Sequence, residues 1–468
     1  MIVRRCGESV KMQLRGYQQQ AISDLRNAYR AGSRAPLLCL PTGGGKTVIL
    51  ATIAAQAAAK GRQVLILVHR RELIHQTASK LQWAGLDHGI IAAGHPASNH
   101  PVQVASVQTL VRRLSRMAWQ PSLVIIDEAH HAAAGSWRQI LEHWPDAYRL
   151  GVTATPCRLD GRGLSEAFDR LVMGPSVADL IAAGFLSAAR IYAPPVIADL
   201  SGIRRRAGDY ANDQAAAAMD RPPVTGDAIA HYQRLAAGQQ AIAFCCNVAH
   251  AVSVCDAFKT AGINAALLLG DTQDRDAVVA QYAAGVIRVL VTVDVVSEGF
   301  DVPAASCAIL LRPTQSLSLY LQQVGRVLRP APGKDAALIL DHVGNVPRHG
   351  FPDDPREWSL AEGVVKRAGT AAPSVRTCPE CYAAFKPAPI CPLCGAQCAP
   401  IRSTKIRQIM GELKELKRES VQQRIAQRER AKRERQAART LPQLLALAKE
   451  RGYSPGWAYR IHQARGQR

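Results

Sequence analysis

Residues 37–50 read LLCLPTGGGKTVIL: an apolar run, a Pro-Thr step, three glycines, a Lys-Thr pair and a second apolar run. A short apolar run closed by a turn signal reads as a buried strand, and the run after Lys46 reads as a helix. Between them Gly43, Gly44 and Gly45 free the backbone to wrap an anion with N–H groups turned inward. Lys46 is placed to reach β- and γ-phosphates, and Thr47 to offer its hydroxyl to Mg²⁺. The positive end of the following helix adds to the field. The strict spacing G-x-x-x-x-G-K-[ST] is not met, because Leu40 holds the first glycine position. PTGGGKT is a shortened form with the same physics.

Working outward, apolar runs alternate with helix-like segments from residue 37 to residue 345. LLCL (37–40), VLILV (64–68), VQVAS (102–106), LVIID (123–127) and RLGVTAT (149–155) form one series. AIAFC (241–245), AALLLG (265–270), RVLVTV (288–293), CAILL (307–311) and AALILD (336–341) form a second. Runs apolar on both faces and alternating with helices predict parallel sheets, and two series predict two α/β domains. LVIIDEAHH (123–131) supplies the acids that a phosphate loop needs. Asp127 ends an apolar strand, where it can hold the Mg²⁺ shell, and Glu128 follows it, placed to polarise an attacking water.

The chain has 468 residues, 48% hydrophobic and 20% charged, which is globular composition and more than one core organises. No run of 18 or more apolar residues occurs, which excludes a simple membrane span. The first twenty residues lack the apolar stretch of a signal peptide, so the expected compartment is the cytoplasm, with no membrane partner. The formal net charge is +21. Residues 401–468 hold 18 Lys/Arg against 6 Asp/Glu, so more than half of the excess lies in the last seventh of the chain. On charge alone such a tail suits a polyanionic partner and a solvated charged helix equally, and its helix could also bind another protein.

Of 12 cysteines, Cys378, Cys381, Cys391 and Cys394 stand apart, in CPECYAAFKPAPICPLCG. Two C-x-x-C pairs joined by nine residues match tetrahedral zinc ligation, each pair placing two thiolates on one turn. The expected division is therefore 1–193 and 226–345 for the two α/β domains, with 194–225 connecting them. A linker (346–377), a four-Cys zinc ribbon (378–397), a basic charged helix (398–440) and a small basic helical module (441–468) follow. In that last module Trp457 and Tyr459 are candidates for base stacking or for a small core.

PTGGGKT with DEAH resembles the superfamily 2 helicases and translocases, whose fold is a pair of tandem RecA-like domains. Further stretches carry the same resemblance in the same order. LRGYQQQAI (14–22) resembles the L-R-x-Y-Q element, implying that Gln18 reads adenine. LILVHRRELIHQ (65–76) and ASVQTL (105–110) resemble the strand-contacting motifs Ia and Ib. VTATP (152–156) resembles motif III, implying that Thr153 and Thr155, with His130 of the DEAH box, couple hydrolysis to motion. VTVDVVSEGFDVP (291–303) resembles motif V, matching Glu298, Gly299 and Asp301. QQVGRVLRP (322–330) resembles motif VI, placing Gln322, Arg326 and Arg329 at the nucleotide, with the arginines as fingers. DEAH, TAT and QQVGRVLRP are more similar to the DNA-acting branch with type III restriction subunits than to RNA-directed DEAD-box proteins.

The order of two motor domains, a four-Cys segment and a basic tail resembles bacterial RadD-type and prophage-encoded helicases. GDYANDQAAAAMD (208–220) adds to that resemblance. It implies an ATP-dependent DNA helicase or translocase using ATP, magnesium and zinc. DNA precedes RNA as the expected partner, with repair, recombination or phage replication as the setting and proteins of those processes as further partners. An ATP-gated remodelling factor that separates no strands is the alternative.

Overall fold

The computed structural model describes residues 14–69, 71–132, 135–158, 163–193, 205–206, 209–219, 222–293 and 302–361, with short stretches between 363 and 462. The first domain runs α1 (Gly16–Arg30), β1 (Pro36–Cys39), α2 (Lys46–Ala58), β2 (Val64–Val68) and α3 (Arg71–Trp83). It continues with β3 (Gly89–Ile91), β4 (Val102–Ser106), α4 (Val107–Arg113), β5 (Leu123–Asp127) and α5 (Gly135–His143). β6 (Tyr148–Thr153) and β7 (Arg170–Met173) close it, and α6 (Val177–Ala182) follows, burying Leu180 in the second domain's core. The first domain's seven strands lie in the order β3-β4-β2-β5-β6-β1-β7, every neighbouring pair parallel.

The uninterrupted apolar runs are explained by burial on both faces. Along β2, Val64, Ile66 and Val68 join one core with Leu38, Val104 and Ile125. The alternate residues Leu65 and Leu67 join the opposite core with Leu37, Val124 and Ile126. Leu40, the residue in place of a first loop glycine, is itself fully buried in the first of these cores.

The second domain begins with β8 (Ala189–Ala193), then β9 (Arg205–Arg206), β10 (Asp209–Tyr210), α7 (Asn212–Met219) and α8 (Pro222–Leu235). β11 (Ala241–Phe244), α9 (Val248–Thr260), β12 (Ala265–Leu268), α10 (Arg275–Ala283) and β13 (Val289–Thr292) follow. β14 (Cys307–Leu310), α11 (Leu317–Gly325), β15 (Ala337–Asp341) and α12 (Asn345–His349) complete the repeat. Its sheet order is β12-β13-β11-β14-β15-β8, all parallel, with a short antiparallel strand β20 (Lys414–Glu415) at the edge beside β8. Between α12 and β20 lie the two-residue strands β16 (Trp358–Ser359), β17 (Gly363–Val364), β18 (Arg376–Thr377) and β19 (Ala384–Phe385). α13 (Leu441–Glu450) buries Leu444 and Ala448 against Ala458 in a small separate core. Among the described residues no helix is long and apolar enough to cross a membrane.

Three expectations need correction. A boundary at 193 cuts through the second sheet, because Ala189–Ala193 pairs with β15. The stretch 194–225 is more than a connection, since Tyr210, Ala215 and Ala216 are buried in the second domain's core. Nor is 398–440 a single helix: Lys414 pairs with Ala193 and Glu415 with Tyr192, an edge strand whose charged pair carries no hydrophobic signal.

Residues 346–361, the described first part of the stretch expected as a linker, form a strap between the domains. Leu164 and Ser165 of the first domain donate their N–H groups to Leu360 O at 2.5 and 3.0 Å. Upstream, the half-buried Arg356 donates to four carbonyls, those of His349, Phe351, Pro352 and Asp354, at 2.8–3.3 Å. Replacing Arg356 with Met leaves those carbonyls without their donor, at a cost of about 2–4 kcal/mol. The expected result is faster limited proteolysis within 346–361, with cleavage elsewhere unchanged. A wild-type digestion pattern would count against the strap.

Candidate active site

The candidate site grows from the carboxyl ends of three adjacent strands, the place where open parallel sheets bind ligands. β5 ends at Asp127, β6 at Thr153, and β1 leads into the glycine loop. β6 lies between the other two, and Leu40 N donates to Thr153 O at 2.9 Å, fixing the loop's start to the strand beside it.

The loop takes the shape its residues require. Gly43 and Gly45 have φ of 86° and 82°, the left-handed region that glycine enters without a Cβ clash. A Cβ on Gly45 would collide with the Gln18 amide, and one on Gly43 would lie 2.8 Å from Leu186 Cδ2 and 3.4 Å from Arg329 Cγ. α2 starts at Lys46, so the loop ends at a helix N-terminus. Lys46 Nζ donates to Leu40 O at 3.4 Å, a long bond that keeps the ammonium over the loop.

α1 docks on the same loop. Tyr17 OH donates to Gly44 O at 2.9 Å. Gln18 is buried; its Oε1 accepts from Arg15 N at 3.0 Å and its Nε2 lies 3.5 Å from Gly44 O. Tyr17 stood in the quoted element without a role.

Asp127, Glu128 and His130 are all buried. Glu128 has φ 49°, and among the described residues it is the one non-glycine with positive φ. That conformation costs roughly 1–2 kcal/mol, and strain of this kind concentrates at functional sites. Asp127 Oδ1 accepts from Glu128 N at 3.0 Å, and His130 Nδ1 lies 3.5 Å from Glu128 Oε2. Burial pushes the Glu128 carboxyl up, but Lys46, a hydrogen bond and charge from His130, and Arg326 outweigh it and bring the pKa down to about 2. Glu128 is thus held ionised by charges from both domains.

The second domain reaches the site through α11 and the turn after it. Ser316 caps α11, its Oγ accepting from Leu319 N at 3.4 Å. Ser318 Oγ then crosses the cleft, 2.7 Å from Thr155 Oγ1 and 3.3 Å from Cys157 Sγ. At the other end of α11 a Cβ on Gly325 would lie 2.6 Å from Thr42 Cβ, so the helix and the loop approach as closely as glycine permits. Arg326 is buried and Arg329 lies over Gly43. Gln322 Nε2 is buried with no hydrogen-bond partner among the described residues.

The lead-in to α11 is pinned from the GDY element. Asp209 Oδ2 accepts from Thr314 Oγ1 at 2.8 Å, and Oδ1 from Gln315 N at 2.6 Å. Ser318 and Asp209 were not foreseen as functional residues.

The structure therefore brings Gln18 and Arg329 against the Gly43–Gly45 loop and Lys46, His130 and Arg326 around Glu128, with Thr47 next in α2, Asp127 beside Glu128, Thr153 and Thr155 at the end of β6 and Gln322 on α11. Gly299 and Asp301 of motif V lie outside the described residues, as do Cys378, Cys381, Cys391 and Cys394. Among the described residues no group of three or more His, Cys, Asp or Glu could hold a metal ion.

Two family descriptions match this chain: "Type III restriction enzyme, res subunit" over residues 11–158, and "Helicase conserved C-terminal domain" over 227–331. The chain belongs to the superfamily 2 helicases. It is an enzyme of the ATP-hydrolysing helicase type.

Among its relatives is the 51.5 kDa protein of a Lactococcus phage, 35% identical, covering 82% of this chain and 83% of the relative. IRC3 of Saccharomyces cerevisiae, named as a candidate ATP-dependent helicase, is 34% identical over 73% of this chain. The match spans 53% of IRC3, so this chain corresponds to about half of that protein. The DNA 3'-5' translocase XPB2 of Sulfurisphaera tokodaii is 26% identical over 70% of this chain and 81% of its own length. In fold, a fragment of a candidate HsdR subunit of a type I restriction enzyme from Vibrio vulnificus superposes with TM-score 0.58. That likeness has 22% identity and covers 75% of this chain and 70% of the fragment.

The loop geometry yields a test. Gly45→Ala must adopt a left-handed φ and displace Gln18, which predicts roughly tenfold weaker binding of a fluorescent ATP analogue. Wild-type affinity would contradict the loop's role.

Proposed function

We propose that this protein is an ATP-dependent DNA helicase or translocase. The observation that carries the reading is the shared cleft, in which Lys46 and Glu128 of one sheet meet Arg326 and Arg329 of the other. A site divided in this way makes hydrolysis depend on how the two domains sit, which is what a motor needs.

The roles follow from position. The N–H groups of the loop and Lys46 hold the β- and γ-phosphates. Gln18, held against the loop, is the residue assigned to read adenine. Glu128, held ionised, orients and polarises the attacking water. Arg326 and Arg329 stabilise charge on the transferring phosphoryl oxygens, and Gln322 brings a further donor. Thr47 and Asp127 offer hard oxygen donors of the kind Mg²⁺ prefers, and the metal, when bound, supplies charge neutralisation at the phosphates. Thr155 and Ser318 join motif III to α11, so a change at the phosphates is transmitted to the second domain.

DNA as the track is supported by the DEAH, TATP and QQVGRVLRP wording of the motifs. It is supported too by the relative named as a DNA translocase and by the basic balance of residues 401–468. Repair, recombination or phage replication is the setting this implies, in a bacterial cytoplasm.

Zinc is the proposed structural metal of 378–397. Arg376 pairs with Phe385 and Thr377 with Ala384, on either side of the first C-x-x-C in the sequence. Ile390 bridges to Gln397, with Gly395 at φ 73°, on either side of the second C-x-x-C in the sequence. The spacing of Cys378, Cys381, Cys391 and Cys394 in the sequence suits tetrahedral thiolate ligation. The purified protein is expected to carry about one zinc per chain by elemental analysis. A Cys391→Ser, Cys394→Ser variant should lose it, and metal-free wild-type protein would refute the assignment.

The function itself is tested by ATP hydrolysis without nucleic acid and with single-stranded DNA, duplex DNA or RNA across a salt series. Stimulation by DNA is expected, weakening by about 0.9 log unit per log unit of salt for each duplex phosphate neutralised. Glu128→Gln should lower kcat by about 10²–10⁴ while ATP still binds, and Lys46→Ala should abolish turnover. Stimulation by RNA alone, or wild-type turnover in either variant, would overturn the reading. ATP turnover on DNA without strand displacement would select a remodelling factor over a helicase.

A further inference from the structure

The turn that carries Arg329 is held by a lysine outside every motif recognised in the sequence. Lys334 Nζ donates to three main-chain carbonyls: Ala305 O at 2.8 Å, Val327 O at 2.5 Å and Arg329 O at 2.7 Å. An ammonium has three N–H donors and no acceptor, so this arrangement saturates it. The chain is folded back to allow it. Ala331 to Lys334 form a turn closed by Lys334 N donating to Ala331 O at 3.1 Å, with Gly333 at φ 74° in the third position. Pro332 before Gly333 is the composition of a type II turn.

The three carbonyls are a significant set. Val327 and Arg329 follow the end of α11, where helix carbonyls lose their intrahelical donors and a cation is favoured. Leu328 O, between them, accepts from Ser187 N at 2.7 Å, just before β8. So three successive carbonyls of the arginine-bearing turn are bound, two of them by one lysine. The third partner, Ala305 O, lies on the loop that leaves motif V and enters β14. Lys334 thus bolts the exit of motif V to the residue proposed as a finger. Burial and the nearby Arg329 charge lower its pKa to about 8, so the ammonium is kept at a cost that three carbonyls offset.

We propose that Lys334 is a positioning residue for hydrolysis, fixing the Arg329 turn over the glycine loop and joining it mechanically to motif V. The inference rests on the reading of Arg329 as a finger. Lys334 touches no substrate; it acts by setting where the Arg329 backbone lies. An ordinary structural cap would affect stability alone, whereas a positioning residue affects turnover through Arg329.

The test is DNA-stimulated ATP turnover by the full-length protein carrying Lys334→Met, Arg329→Ala or both. Lys334→Met keeps the aliphatic stem and removes the donors. It should lower kcat at least tenfold, with KM for ATP and the affinity for a fluorescent ADP analogue within twofold of wild type. The double variant should be no more than twofold slower than Arg329→Ala alone, because residues acting as a unit are not additive. Lys334→Arg, which keeps charge and donors, should recover part of the loss. Should Lys334→Met not fold, Gly333→Ala serves instead. A Cβ there meets no atom within 4 Å, so the added methyl fits while the left-handed turn that aims Lys334 is strained. It should lower kcat several-fold with the same masking by Arg329→Ala. A wild-type kcat for Lys334→Met, or losses that multiply in the double variant, would overturn the inference alone. A wild-type kcat for Arg329→Ala would overturn the finger reading and the inference with it.

Discussion

The structure depends on one buried carboxylate being held ionised by charges that belong to different domains. Glu128 sits in a left-handed conformation at the end of β5, where burial opposes its charge. Lys46 and His130 of its own domain and Arg326 of the other offset that opposition. Breaking a buried set of this kind leaves an uncompensated charge, so the interface between the sheets and the chemistry at the loop are one electrostatic unit. The close approach of Gly325 to Thr42 and of Arg329 to Gly43 gives that unit its fixed distance.

A chain of contacts leads away from the carboxylate. Thr153 Oγ1 donates to Thr155 O at 2.9 Å, Thr155 meets Ser318, and α11 runs from Ser318 to the arginines. At the far end Lys334 joins the arginine turn to motif V, while Asp209 holds the lead-in to α11. The strap through Leu360 returns the chain to the first domain, so two separately cored domains are connected three ways: by the crossing between β7 and α6, by α11 and by the strap. This arrangement suits motion of two stiff bodies about a small number of contacts.

Much of this was legible in the sequence, for identifiable reasons. The ten long strands showed themselves because burial on both faces demands continuous apolar runs. The loop, the DEAH acids and the arginines showed themselves because phosphate chemistry restricts residue type and spacing. The edges did not. β3 has three residues, and β7 exposes Arg170 and Met173, so neither has the pattern of a buried strand. β8 was assigned to the wrong domain because sheet membership is decided by pairing, not by order along the chain. β20 is a charged dipeptide paired through its backbone. Lys334, Arg356 and Asp209 were invisible for a related reason: their partners are backbone groups or distant hydroxyls, which leave no trace in residue type.

The central claim is that the second domain completes the hydrolytic site, and Arg326 tests it most directly. Single-turnover hydrolysis of bound ATP should be measured for Arg326→Ala beside wild type, with DNA present and nucleotide affinity determined separately. Arginine fingers are worth about 10³–10⁵ in rate, so a loss of at least 10³ with affinity little changed is the predicted result. A rate within a few-fold of wild type would show that the first domain hydrolyses ATP unaided, and the account would fail.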